Sequence, residues 1–333
     1  LAVALTLVLG VASYRGLSGH EFSSPGGTLE VALLQGNIPQ DEKFQPGTGI
    51  ADALRWYGEQ LTVNSATLVV APETAIPLLP QQLPEGYWAA MVKPFATAKA
   101  GARAQALMIG IPLGTYSQGY TNSVVGIKPN AAPAAADEPV QAYRYSKYHL
   151  VPFGEFIPPL FKWFTQMMNI PLGDFNRGAV GQPSFEWQGQ RLAPNICYED
   201  LFGEELGARF RDPATAPTIF VNISNIGWFG NTIAIDQHLA ISRMRALEFE
   251  RPFIRATNTG ATVIIDHTGR VIQSLPRHTR GVLHGQVQGR TGDPAAGGGI
   301  TPFAWWVSRF GLWPLWLLAG GIVLVAAWRR RRR

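Results

Sequence analysis

The chain has a single cysteine, Cys197, among its 333 residues, which excludes any internal disulfide and leaves its redox compartment open. Charge is scarce as well: 15% of residues are Asp, Glu, Lys or Arg, against a hydrophobic share of 46%. The net charge of +5 comes from the tail Arg329–Arg333; without it, 23 basic residues balance 23 acidic ones. Nothing in that balance implies a nucleic-acid surface. No metal site or cofactor is implied either, because the 6 histidines are scattered and a second cysteine is missing.

Long apolar runs are confined to the two ends. Phe310–Trp328 runs 19 residues without a charge, and at 1.5 Å per residue it nearly spans a hydrocarbon core of about 30 Å. Trp305, Trp306, Trp313, Trp316 and Trp328 stand where interfacial anchors would. We therefore expect a transmembrane helix over 310–328, followed by a basic tail at 329–333. The positive-inside rule puts that tail in the cytoplasm and the preceding body on the opposite side. Leu1–Ser13 is apolar but covers only about 20 Å as helix, too short to cross. It reads as the end of a truncated transmembrane helix, residues 1–14, in the C-terminal part of a larger membrane protein.

Between the ends, short β-rich runs alternate with helical ones, the pattern of an α/β layered sheet. Strands are expected at Leu29–Gln35, Leu68–Ala71, Leu107–Pro112, Ser123–Ile127, Thr218–Ile223, Arg255–Thr259, Ala261–Gln273 and Gly281–Val287. Helices are expected at Trp56–Thr62, Tyr87–Ala100, Leu201–Phe210 and Ile233–Phe249. Pro129–Pro139 reads as a low-complexity loop, and 291–309, with its Gly, Ala and Pro, as a linker. Val151–Leu172 is rich in proline and aromatics with one lysine and one glutamate. It suits either an apolar excursion of the core or a loop that dips into a membrane interface or lids an acyl pocket.

Three residues at element boundaries carry chemistry. Cys197 ends an apolar strand-like stretch just before a helix-competent one, where a helix dipole would favour thiolate. Alone, it could equally be an inert buried thiol. Glu73 follows the apolar Thr67–Pro72, where desolvation would make its carboxylate a better general base; alone, it suits a turn or cap. Lys147, if buried rather than solvated, could stabilise an oxyanion.

The order Glu73, Lys147, Cys197, set in PET, KYHLVPFGE and NICYED, resembles the nitrilase, or carbon–nitrogen hydrolase, superfamily. The wider pattern is similar to its apolipoprotein N-acyltransferase branch. It comprises Leu34–Gln40, Pro72–Pro77, Lys147–Pro158, Ile223–Asn225 with Gly227–Gly230, and Arg243–Glu248, and extends over 29–328. The resemblance implies an αββα sandwich over 28–290, inserted before the last membrane helix. It implies Glu73 as general base, Lys147 as oxyanion stabiliser and Cys197 as nucleophile. Glu155 matches a further essential carboxylate, and Tyr198 and Glu199 match supporting positions. Phe44 stands where the branch often has an acyl-arm tryptophan; Phe153, Trp163 and Trp228 are further candidates for acyl contact. Ala71 replaces a frequent tryptophan and Ile226 a frequent acidic residue.

The implied reaction moves the sn-1 acyl chain of a phospholipid, phosphatidylethanolamine in the first instance, through a Cys197 thioester to the α-amine of a diacylglyceryl-cysteine apolipoprotein. A monomer in the bacterial inner membrane, with its catalytic domain on the periplasmic side, is the expected setting. Three alternatives compete: a membrane-anchored amidase using water, a Cys–His peptidase with His149 or His238, and a non-catalytic binding domain.

Overall fold

The computed structural model describes residues 21–97, 103–129, 142–157, 175–292 and 299–332. Two six-stranded sheets face each other. In the first, β1 (Ser24–Gln35) pairs in parallel with β2 (Leu68–Val70), and β2 in parallel with β3 (Ala106–Thr115). The antiparallel strands β4 (Gly119–Ile127) and β5 (Tyr143–Ser146) extend one side, and β12 (Gly281–Thr291) pairs antiparallel with β1 on the other. The second sheet repeats the plan. Here β7 (Gln190–Ile196), β8 (Ile219–Ser224) and β9 (Phe253–Thr257) are parallel. Beside them lie β6 (Phe185–Trp187) and the pair β10 (Val263–Ile265) and β11 (Val271–Ser274).

Side-chain alternation along each strand decides the layers. Leu29, Val31 and Leu33 of β1 meet Ile219, Val221, Ile223 and Ile254 in a core between the sheets. The alternate residues Ala32 and Leu34 instead pack on α1 (Ala51–Val63) and α2 (Tyr87–Ala96). On the far side, Ala193, Phe220 and Phe253 pack on α4 (Ala234–Phe249) and α5 (Pro302–Phe310). The central parallel strands are apolar on both faces, as strands covered twice must be. The expected αββα sandwich is the observed architecture.

Two elements differ from expectation. Leu201–Phe210 is not one helix: a 3₁₀ turn at Cys197–Leu201 leads into the short α3 (Gly203–Gly207) and a second 3₁₀ turn at Ala208–Phe210. Gly203 and Gly207 admit close packing there. A Cβ on Gly207 would lie 2.3 Å from Val307, on α5. The apolar C-terminal run is also broken. Phe310 ends α5, Gly311 takes φ 53°, and α6 (Trp313–Arg331) leaves at 75°. Among the described residues no single helix is long and apolar enough to cross a membrane; the bent pair α5 and α6 reaches that length and composition together. The segment read as a linker, 291–309, holds the end of β12 and nearly all of α5. α2 stops at Ala96, four residues short of the expected end. Residues 1–14, 98–100, 130–139 and 158–172 lie outside the described residues.

Candidate active site

The candidate residues gather at the carboxyl ends of strands, where α/β sheets place functional side chains. Glu73 lies three residues after β2, Lys147 directly after β5 and Cys197 directly after β7. The structure brings these three and Glu155 together. Lys147 is 1% exposed, with Nζ 3.4 Å from Glu73 Oε1 and 2.9 Å from Glu155 Oε2. Burial by itself would lower the Lys147 pKa, but Glu73 and Glu155 outweigh it and hold the ammonium well above the ordinary lysine value.

The surroundings of Glu73 are polar, not apolar as its sequence neighbours imply. Its Oε1 accepts from Asn122 Nδ2 at 2.7 Å, and its Oε2 from the Asn225 backbone N–H at 2.8 Å. Asn122 Nδ2 also donates to Glu155 Oε1 at 2.7 Å, so one amide ties both carboxylates to the same cation. The expected help from a helix dipole at Cys197 is likewise absent, because only a 3₁₀ turn follows it. Burial, and next the Glu73 carboxylate, push the thiol up to about 12, with Lys147 opposing. At neutral pH the sulfur is therefore a thiol, and it needs a base to become a nucleophile.

Glu199 joins the two halves of the site. Its Oε1 accepts from the backbone N–H groups of Tyr148 and His149, and its Oε2 from Tyr145 Oη and Ile196 N–H. The carboxylate thus fastens the segment after Lys147 to the strand end that carries Cys197. Tyr198 Oη donates to the Leu150 carbonyl at 2.8 Å, and its ring lies 5.6 Å from Lys147 Nζ. Both residues hold the framework of the site.

Sequence reasoning missed Lys43, which looks like part of a solvated run, Asp41-Glu42-Lys43. It is 2% exposed, and Nζ donates to the Glu73 backbone carbonyl at 3.1 Å. Burial draws its pKa down to about 7 against the pull of Glu73 and Cys197. Asn122 was also missed; the only signal is a run of polar residues, Thr121–Ser123, inside an otherwise apolar strand.

The acyl-contact candidates are less convergent. Phe44 is partly buried beside Lys43, while Phe153 (42%) and Trp228 (67%) are exposed. The turn carrying Trp228 approaches the segment before Phe44 through Asn225 Nδ2 and Gln40 Oε1, 2.7 Å apart. Trp163 lies outside the described residues. His149 pairs with Glu205 at 2.9 Å, and His238 Nε2 meets the Cys197 carbonyl, so neither imidazole has a contact with the thiol among these bonds. Among the described residues, no group of three or more His, Cys, Asp or Glu could hold a metal.

Gly110 sets the position of Glu73. A Cβ there would lie 2.3 Å from the Pro72 carbonyl oxygen and 2.7 Å from Glu73 Cα. Gly110→Ala is therefore expected to destabilise the fold by about 1–3 kcal/mol and to lower turnover more than tenfold, since backbone must move. A melt and a turnover assay on the same preparation check this; a variant with both unchanged would show that the loop relaxes freely.

Comparison with known proteins identifies the family and the fold. A sequence model described as carbon–nitrogen hydrolase matches residues 30–295. The chain belongs to the carbon–nitrogen hydrolase family. Among solved members of similar fold, a CN-hydrolase superfamily protein of Xanthomonas campestris superposes with a TM-score of 0.55 at 19% identity, covering 86% of this chain and 96% of that one. A nitrilase-superfamily amidase of Nesterenkonia AN1 gives 0.54 at 15%, covering 80% and 93%. These likenesses concern the carbon–nitrogen hydrolase fold alone. In sequence, the chain is 66% identical to a protein named apolipoprotein N-acyltransferase from Verminephrobacter eiseniae, over 86% of this chain and 51% of that one. A protein of the same name from Ralstonia nicotianae is 47% identical over 92% and 54%. The chain thus spans about half the length of these relatives.

Proposed function

We propose that this chain carries the catalytic part of a phospholipid:apolipoprotein N-acyltransferase. The observation that carries the reading is the 66% identity to a relative of that name, in a chain whose Glu73, Lys147, Glu155 and Cys197 share one site.

In this reading Glu73 takes the Cys197 proton and the thiolate attacks the sn-1 ester carbonyl of a phospholipid, phosphatidylethanolamine in the first instance. Lys147 and a backbone N–H hold the oxyanion. The C–O bond then breaks, Glu73 returns the proton to the leaving glycerol oxygen, and a lysophospholipid departs from a Cys197 thioester. The α-amine of a diacylglyceryl-cysteine N-terminus attacks this thioester, loses a proton to Glu73, and leaves as the amide while the thiol is restored. Glu155 keeps Lys147 charged, Glu199 and Tyr198 brace the site, and Phe44, Phe153, Trp163 and Trp228 contact acyl chains. Exclusion of water favours the amine over hydrolysis.

The membrane assignments belong to the same reading. Leu315, Leu317, Leu318, Ile322, Val323, Leu324 and Val325 are all exposed on α6, and lipid is the solvent that suits them. The bent pair α5 and α6 enters the inner membrane, and the tail 329–333 is cytoplasmic. The catalytic domain, 28–290, lies on the periplasmic side of a monomer.

Intact-protein mass spectrometry of the full-length protein with phosphatidylethanolamine vesicles tests the reading. We expect a gain of one acyl chain, absent from Cys197→Ala and discharged by a diacylated lipopeptide. Absence of the adduct on folded protein, with turnover of simple amides, would instead establish the water-using amidase.

A further inference from the structure

A fully buried polar cluster lies beneath the nucleophile, and the mechanism above leaves it unused. Asp200, His238, Ser242 and Arg255 are all buried. Arg255 Nη2 lies 3.0 Å from His238 Nδ1, and Arg255 Nη1 donates to the His238 carbonyl at 2.9 Å and to Ser242 Oγ. Asp200 Oδ2 pairs with Arg255 Nη1 at 3.4 Å and accepts from Ser242 Oγ. A guanidinium offers only donors, so His238 Nδ1 must accept and the ring hydrogen sits on Nε2. That hydrogen is shared between Asp200 Oδ1 and the Cys197 carbonyl oxygen, each at 3.1 Å. Asn222 Nδ2 donates to the same carbonyl at 2.8 Å and is itself fixed by Asn195 Oδ1 at 2.6 Å.

The carbonyl so gripped belongs to the peptide between Cys197 and Tyr198. Cys197 has φ 55°, in the left-handed region where a non-glycine residue costs on the order of 1 kcal/mol and persists only when its surroundings hold it. The peptide is trans and planar, so its N–H points opposite to its C=O. Two side-chain donors that grip the carbonyl therefore also fix the direction of the Tyr198 N–H, away from themselves.

We infer that His238, with its tautomer set by Arg255 and Asp200, is a positioning residue that works with Asn222 to aim the Tyr198 N–H at the oxyanion formed during Cys197 acylation. A buried ion cluster of this kind is a poor device for stability alone, since an apolar replacement of similar volume often serves as well. Its hydrogen-bond geometry at the nucleophile's own carbonyl gives it a use. The inference rests on Cys197 as nucleophile and is independent of whether a phospholipid is the natural donor.

The test uses two electrophiles on the full-length protein in detergent. A p-nitrophenyl fatty ester acylates Cys197: the sulfur–carbon bond forms, the carbon–oxygen bond breaks, p-nitrophenolate leaves and the thiol proton goes to Glu73. That step passes through an oxyanion. Alkylation by iodoacetamide displaces iodide from a saturated carbon and forms none. His238→Leu removes the donor, and His238→Gln can present an N–H near the position of Nε2. We expect His238→Leu to slow ester acylation by about 10²-fold, the effect of losing one oxyanion donor, with KM nearly unchanged and alkylation within about threefold of wild type. His238→Gln should recover most of the acylation rate. If His238→Leu does not fold, Asn222→Ala removes the second donor to the same carbonyl and should show the same split between electrophiles. Acylation at the wild-type rate in the folded donor-less variant, or equal loss of both reactions in the Leu and Gln variants, would overturn the inference. Wild-type acylation by the p-nitrophenyl ester but not by phospholipid vesicles would remove the lipid reading and leave this inference intact.

Discussion

Glu73→Gln should slow Cys197 acylation by about 10²–10⁴-fold, the usual contribution of a positioned general base. With burial and the Glu73 carboxylate pushing the thiol far above its ordinary value, the sulfur is protonated at neutral pH and depends on a base for attack. Two effects of the substitution run in opposite directions. The base is lost, but so is the negative charge that ranks second, after burial, among the causes raising the thiol. The variant should therefore form thiolate more readily while acylating far more slowly. Iodoacetamide alkylation followed against pH reads the first effect, and a single-turnover acyl burst reads the second. Lys147 keeps Glu155 at 2.9 Å, so the cation is not orphaned. Gln retains one acceptor for the donors now supplied by Asn122 and Asn225, and a stability loss of about 1–3 kcal/mol is expected from the mismatch. Acylation at the wild-type rate would assign the base to another group.

Lys43→Met should stabilise the protein in acid and lose that advantage in alkali. In the unfolded chain the Lys43 amine has its ordinary value of 10.5, whereas burial in the fold brings it to about 7. Between those values the unfolded chain holds a proton that the folded one has released, so stability rises with pH through the window. Below about pH 7 both states are protonated and the full burial penalty is present, on the order of 5 kcal/mol. Methionine keeps much of the side-chain length without the charge. It forfeits the hydrogen bond to the Glu73 carbonyl, worth about 1–3 kcal/mol if that oxygen is left unpaired. The larger effect wins at pH 6, where a gain of about 2–4 kcal/mol is expected. Near pH 10.5 the penalty is gone, and the variant should be level with wild type or slightly less stable. Melts in detergent at both pH values decide it, and a difference independent of pH would show that Lys43 carries no burial penalty.

Much of the architecture was legible because strands buried on both faces leave an unmistakable apolar run. Residues 68–70 and 219–221 are examples, and the alternation of strand and helix led to the layered α/β sheet. Element ends were less legible. Leu201–Phe210 has a helical composition, yet its two glycines serve contact with α5, a partner remote in sequence. Phe310–Trp328 reads as one helix, but a bend at Gly311 delays it to Trp313 and sets it at 75° to the helix before it. At the site, Glu73, Lys147 and Cys197 could be picked out because each stands at an element boundary in a distinctive motif. Asn122 and Lys43 could not, because their partner Glu73 lies 49 and 30 residues away. Arg255 stood in view as a lone cation in an apolar strand, but its use of His238 appears only once β9 and α4 are packed.

The sequence by itself determined the layered α/β class and the family resemblance, and singled out Cys197 as the candidate nucleophile, because strand–helix alternation and motif spacing are local properties. Only the tertiary structure decided the protonation chemistry. A pKa is set by burial and by charges a few ångströms away, and the fold brings those charges from the segments that follow β1, β2 and β5. That is why a thiol expected to ionise easily is held up near 12, and why a lysine that looks solvated is buried beneath the proposed base.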